Sequence, residues 1–276
     1  MARGFFPSQA LEQWRARMSS MTDLTLFSAY RKLFGSARDG ESCWWYLGTT
    51  SVKIPDFPEI PVILPETIMV YRTETVADDE FRLHWLEVGC FRDLLTGELV
   101  ESWTNPITGA RVTAPNSFAE GPACFTIRAA GDGLEMSLVQ AHAHVLSVEA
   151  KYALIDGRVM LTQTERKIRG FPGADGSLPE PGAPGTTHAL TTLTVFGDRA
   201  EIADPAVDWA GSTGVYSLDL DILPPWMGFG AMTGATRVTG VMHKATAKDR
   251  VNHAAWDRLS ALFPDFFDGD GVRANW

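Results

Sequence analysis

At 276 residues with a formal net charge of −10, set by 24 Lys and Arg against 34 Asp and Glu, the chain has no run of clustered cations such as a phosphate backbone requires, which argues against a nucleic-acid partner. Its three cysteines, Cys43, Cys90 and Cys124, lie too far apart for a paired disulfide framework or a CxxC metal motif and read as reduced core residues. No stretch approaches the roughly 20 apolar residues of a membrane span, and Met1 to Pro7 has no apolar run of signal-peptide length, so a soluble, cytoplasmic protein without a membrane partner is expected.

Residues 8–36 read as two short helices. Leu11, Trp14, Met18 and Met21 fall near a 3.6 period, and after Thr22-Asp23 a second segment carries Leu26, Phe27, Tyr30, Leu33 and Phe34 before Gly35. From Ser42 the texture changes to strand candidates over 42–52, 66–76, 80–92, 98–104, 110–114, 123–130, 133–147, 149–156, 158–170, 186–197, 212–222 and 234–246, separated by Gly, Pro, Asn and Asp. Pro55 to Pro65 and Gly170 to Gly185 read as long loops. A last helix runs from Asn252 to Phe263, with Ala255, Leu259 and Leu262 on one face and Pro264 as its stop.

So many strands without intervening amphipathic helices indicate an antiparallel sheet rather than a parallel α/β fold. The expected architecture is mainly β: an antiparallel β-barrel, calycin/lipocalin-like or cupin-like, with short N-terminal helices and a C-terminal helix. It is expected as a single domain over 1–276, with a helical segment at 1–37, the barrel at 38–250 and the last helix and tail at 251–276.

Within this pattern one turn chemistry occurs twice. Asp93-Leu94-Leu95-Thr96-Gly97 and Asn105-Pro106-Ile107-Thr108-Gly109 each open on an Asx residue and close on Thr-Gly, where glycine accepts positive φ without steric cost. Each predicts a hairpin loop. Together with Leu223-Pro224-Pro225-Trp226-Met227-Gly228-Phe229-Gly230, the stretch Gly89 to Val112 resembles the bacterial and fungal family known as domain of unknown function 1838, over about Arg38 to Phe267. Phe91, Arg92, Asp93, Thr96, Gly97, Trp103, Asn105, Pro106, Thr108 and Gly109, then Pro225, Trp226 and Met227, carry the resemblance. It implies an association with the breakdown of aromatic or lignin-derived compounds, and no defined reaction. After the second turn the resemblance leads one to expect an aromatic or His-bearing strand; Ala110 to Asn116 stands there instead.

The strand candidate Leu134 to Val145 alternates so that Leu134, Met136, Leu138, Gln140, His142 and His144 share one face. Apolar side chains give way to polar ones along it, as on a barrel-lining strand where core filling ends and a cavity begins. His142 and His144 would lie about 7 Å apart. With Glu149 and His188 they partly match a cupin-like metal set. The preceding glycine is replaced by Met136, however, so the leading expectation is no metal and no organic cofactor, with His142, His144, Glu149 and His188 as ligands in the metal-dependent alternative.

No GxSxG elbow, phosphate loop or activated thiol is present, which leaves acid–base chemistry in a dry pocket. The expected catalytic set is His142 or His144 as base, with Arg92 and Tyr46 for developing oxyanion charge. Nine Trp and fifteen Phe suggest flat apolar surface for an aromatic ligand, although a wide barrel also needs large residues to fill it. Trp44, Tyr71, Trp85, Trp226 and Met227 are the expected substrate-binding residues. The functional expectation is a cofactor-independent lyase of elimination or retro-aldol type on a small aromatic compound; release of formaldehyde from a lignin-derived dimer is what the family association implies. The alternatives are a lipocalin-like hydrophobic-ligand carrier and a cupin-like metal-dependent oxygenase. Self-association into a homo-oligomer is left open.

Overall fold

The structure is a computed structural model that describes residues 24–114, 118–140, 143–170, 186–245, 252–268 and 271–272. Ten antiparallel strands close into a barrel. In chain order these are β1 (Gly40–Lys53), β2 (Ile60–Ala77), β3 (Glu80–Arg92), β6 (Phe118–Ala130), β7 (Gly133–Gln140), β8 (Ala143–Ile155), β9 (Arg158–Gly170), β10 (Thr186–Asp198), β11 (Ser212–Leu220) and β12 (Ala235–Ala245). Each pairs with its neighbour in sequence, and β12 returns to pair with β1. The side hairpin β4 (Ser102–Thr104) and β5 (Arg111–Thr113) lies between β3 and β6, and β13 (Phe267–Asp268) and β14 (Gly271–Val272) form a second small pair. The wall is least continuous between β7 and β8, whose described ladder is the single pair Gln140 and Ala143.

Most predicted strands appear within a few residues of their expected bounds. Two expectations change. The Pro55–Pro65 loop is shorter than its prolines suggest, because β2 already begins at Ile60, with Pro61 and Pro65 inside it. The predicted strand 133–147 is broken into β7 and β8 by a hairpin. The expected helix around Leu11 to Met21 and the loop 170–185, except Gly170, lie outside the described residues.

Helix α1 (Leu26–Phe34) closes one end of the barrel. Thr25 caps its start by accepting the Ser28 backbone N–H at 3.1 Å. Its buried face, Leu26, Ala29, Tyr30, Leu33 and Phe34, packs into the core with Trp44, Phe81, Ile127, Val159 and Val195. At the helix's C-terminal end the Lys244 ammonium donates to the carbonyls of Lys32 at 2.6 Å and Gly35 at 2.7 Å, placing a cation where the last carbonyls concentrate negative potential. Complete burial lowers the Lys244 pKa well below its ordinary value.

Helix α2 (Arg199–Ala203) follows β10, and helix α3 (His253–Leu262), capped by Asn252, lies outside the barrel against β2 and β3. Beneath α3, Trp256 and Leu259 cover Cys43, Ile68, Val70, Val88 and Cys90. Burial pushes the Cys43 thiol up to about 12, with Glu41 adding to it, and the Cys90 thiol up to about 11, with Glu66 adding to it. Neither is a thiolate at neutral pH.

Candidate functional site: a cavity inside the barrel

Above the α1 plug the barrel interior opens into a small cavity. Its apolar lining comes from Met69, Tyr71, Trp85, Phe125, Leu138, Leu193, Tyr216 and Met242, which strand alternation turns inward. The polar side is concentrated on β9. Its inward positions run Val159, Leu161, Gln163, Glu165, Lys167 and Arg169, so the strand changes from apolar to charged as it leaves the plug. Gln140, Glu87 and Thr191 complete the lining.

These polar groups form one chain of hydrogen bonds. The Tyr30 hydroxyl on α1 donates to Gln163 Oε1 at 2.5 Å, and Gln163 Nε2 donates to Glu165 Oε1 at 2.6 Å. Lys167 Nζ donates to Glu165 Oε2 at 2.9 Å and reaches Gln140 Oε1 at 3.4 Å. Both members of the Glu165–Lys167 ion pair have side chains only 8% exposed. Such a pair persists in a dry interior when its remaining polar atoms are bonded, as here. Burial, with the nearby Glu165 and Glu87 charges, raises the Tyr71 phenol far above its ordinary range, so its proton stays on at neutral pH.

Of the predicted ligand-binding residues, the structure places Tyr71 and Trp85 on the cavity wall, opposite one another in the β2–β3 register. Tyr46 faces the barrel interior beside the cavity but does not line it. Its ring is edge-on to Tyr216 at 5.2 Å and lies across Gly48 and Gly240, paired residues where any Cβ would collide with that ring. Trp44 is not at the cavity: it packs on Phe34 and donates its indole N–H to the Phe34 carbonyl at 3.2 Å, as part of the plug.

Trp226 and Met227 belong to a separate cap at the open end. There the two motifs that carry the family resemblance meet each other. Asn105 Oδ1 accepts the N–H groups of Ile107 and Thr108, while its Nδ2 donates to the Met227 carbonyl at 2.8 Å. Thr108 bonds the Gly228 carbonyl, and Trp226 packs between Phe91 and Trp103. Asp93 organises the first turn in the same way through Leu95 and Thr96, and Gly97 and Gly109 close the turns at φ 71° and 70°. Asn105 is therefore a turn-forming and bridging residue.

Arg92 lies on the outer wall. Its guanidinium bonds the Gly97 carbonyl and Glu66, a carboxylate 1% exposed that Arg258 of α3 also holds at 2.7 Å. It fastens the first turn and α3 to the barrel rather than facing a bound molecule.

The expectation for His144 is corrected. His142 lies outside the described residues, but the hairpin around it reverses the inside–outside alternation. Gln140 pairs with Ala143, so these two share the inner side and His144 turns outward, exposed. Glu149 and His188 are exposed too. His144 and His188 both lie in register with Ile168 on the intervening β9, which separates them by roughly 9–10 Å, two strand spacings. Among the described residues no three His, Cys, Asp or Glu side chains are grouped to hold a metal ion.

Sequence reading missed the β9 ladder. Its signal was present as alternating polar residues in Thr162 to Arg169, but polar alternation normally marks the outer face of a strand. Here the outer positions Thr162 and Thr164 are polar as well, so the pattern has no apolar face to point inward.

No family model matches this chain, and no curated protein matches it. Among solved structures it is matched to the secretin InvG (residues 176 to the end) of the Salmonella SPI-1 type III secretion injectisome in the open gate state. The identity is 12% and the TM-score 0.09, over 92% of this chain and 70% of that one. An overlap that low carries no argument about fold or function.

Proposed function

We propose that this protein is a lipocalin-like barrel that takes a small hydrophobic, largely aromatic molecule into the cavity between the α1 plug and the open end. The observation that carries this reading is the cavity's lining: aromatic, Leu and Met side chains with a few convergent polar groups on one side. That is the composition of a ligand pocket. The outer wall fits life in water, since it carries rows such as Thr49, Thr239, Ser217, Thr192 and Thr164, and the Arg237–Asp219 ion pair. An outer-membrane barrel has the reverse arrangement, apolar outside and polar within. With three free thiols the protein suits a reducing compartment, and we place it in the cytoplasm. Membership of the domain of unknown function 1838 family belongs to the same proposal, supported by the contact between the two motifs that carry the resemblance.

The test is calorimetric titration of the protein with a panel of small aromatics, beside Leu193→Trp, which fills the cavity from the wall opposite Trp85. We expect saturable binding with a negative heat-capacity change, lost in Leu193→Trp at unchanged helix and strand content. Equal binding by both proteins overturns the reading.

A second reading, a cofactor-independent lyase acting on the same molecule, is favoured by the Glu165–Lys167 pair at the cavity wall. A carboxylate fixed by Gln163 and Lys167 in a water-poor site is positioned to accept a proton from a bound molecule. Glu165 then replaces the imidazoles as base. Glu165→Gln abolishes turnover in a lyase while leaving affinity within about tenfold, or ~1.4 kcal/mol; a carrier shows no turnover in either form.

A further inference from the structure

Two residues of the cavity wall carry a buried hydrogen-bond donor without a partner, and the charges around them are matched. The indole N–H of Trp85 and the hydroxyl of Thr191 are buried without a partner, and both residues line the cavity. Thr191 is 5% exposed. In the closed ring of strands β3 and β10 are separated by five steps in either direction, so Trp85 and Thr191 stand on opposite walls. The ionic lining is balanced: Lys167 and Arg169 against Glu165 and Glu87. Lys167 already bonds Glu165 and Gln140, and the second oxygen of Glu165 is taken by Gln163.

Resting on the ligand-pocket reading above, we infer that the molecule bound here is uncharged and carries a hydrogen-bond-accepting oxygen at each of two ends, one for Trp85 and one for Thr191, joined by an aromatic body. An indole N–H donates and cannot accept, which fixes the polarity at that end. Buried donors without partners are uncommon and costly, so a cavity that keeps two of them is incomplete without an acceptor-bearing occupant. An occupant that offers an acceptor to each donor gains both bonds, whereas one without acceptors leaves both unmade, and this gives the site its discrimination. An anion or cation gains no comparable advantage, because entering beside Lys167 or Glu165 means competing with an ion pair that is already closed.

The experiment uses three probes of one shape: 4,4′-dimethoxybiphenyl, 4,4′-diethylbiphenyl and biphenyl-4,4′-dicarboxylate, titrated into the full chain and into Trp85→Phe and Thr191→Val. The dimethoxy probe is expected to bind at least tenfold more tightly than the diethyl probe, with the dicarboxylate weakest. Trp85→Phe and Thr191→Val should each remove about tenfold from the dimethoxy affinity and leave diethyl binding unchanged, with circular dichroism confirming the fold. Saturable binding of all three with equal affinity, strongest binding of the dicarboxylate, or equal losses for both neutral probes in the variants overturns this inference and leaves the pocket reading standing. No saturable binding of any probe overturns both.

Discussion

At the closed end of the barrel, the polar groups that α1 brings inside are bonded as they enter: Tyr30 to Gln163, Lys244 to the last carbonyls of the helix, and the Trp44 indole and Ser42 hydroxyl to the Phe34 carbonyl. A few residues further along the barrel, at the cavity wall, the buried Trp85 and Thr191 donors have no partner. The same barrel wall thus supplies a finished core at one end and an unfinished one at the other. Folding alone explains the first, because each satisfied group removes a desolvation cost. The second is what a wall built for an occupant looks like, since departures from polar satisfaction concentrate at functional sites.

The largest expected effect breaks the join between these two regions, the Glu165–Lys167 pair. Lys167→Met leaves the Glu165 carboxylate buried without its cation and should cost about 3–5 kcal/mol of stability. Adding Glu165→Gln should recover most of that loss, because the double variant buries no charge. Urea denaturation of the two variants checks this. A double variant no more stable than Lys167→Met would show that the pair contributes by packing rather than by charge balance. Leu33→Ala comes next, at about 2–5 kcal/mol, because its fully buried side chain sits in the plug with no cavity to relax into. The stability loss should come with an unchanged affinity for aromatic ligands at temperatures where the variant is folded; a parallel loss of affinity would mean that plug and cavity are one cooperative unit.

How far this contrast could be read from residues alone depends on where periodicity is informative. Strands such as 80–92, 158–170 and 186–197 were legible because turn residues bound them and their lengths suit a barrel. The paired turns were legible down to their hydrogen bonds, since Asx and Thr-Gly chemistry is local. The cavity was only partly legible. Tyr71 and Trp85 were found as aromatic residues in strands, whereas Trp44, equally aromatic, went into the plug because α1 covers it. His144 misled because alternation persists in sequence across a hairpin that reverses it in space: Gln140 points in and His144 points out. Glu165 and Lys167 were hidden by the opposite problem, a strand polar on both faces, whose inner face is recognised only when the barrel closes around it.

The smallest effect uses pH to separate the same two regions. Burial first, then the neighbouring Glu165 and Glu87 charges, raises the folded-state pKa of Tyr71 well above the unfolded value, which is about 10. The native state therefore holds this proton more tightly than the unfolded chain. The stability it contributes is fully present below pH ~10 and is lost as the pH rises beyond it, by about 1.4 kcal/mol per pH unit for one proton. Tyr30 in the plug and Tyr46 beside the cavity act in the same direction, as do the thiols of Cys43 and Cys90 from lower pH. Lys244, with its pKa depressed, opposes them until its unfolded-state value near 10.5 is passed. All of these groups are common to the wild type and Tyr71→Phe, so they cancel in the difference between the two. Between pH 10 and 11.5 the stability of Tyr71→Phe should fall less steeply by one proton's worth, read from urea midpoints at half-unit steps. A bound neutral aromatic should leave this gap unchanged, because native Tyr71 already keeps its proton throughout the range. Parallel curves for the two proteins would mean that the cavity wall around Tyr71 is already open to water, and the contrast between a dry plug and a ligand-dependent cavity would then lie further toward the mouth, at Gln140 and Arg169.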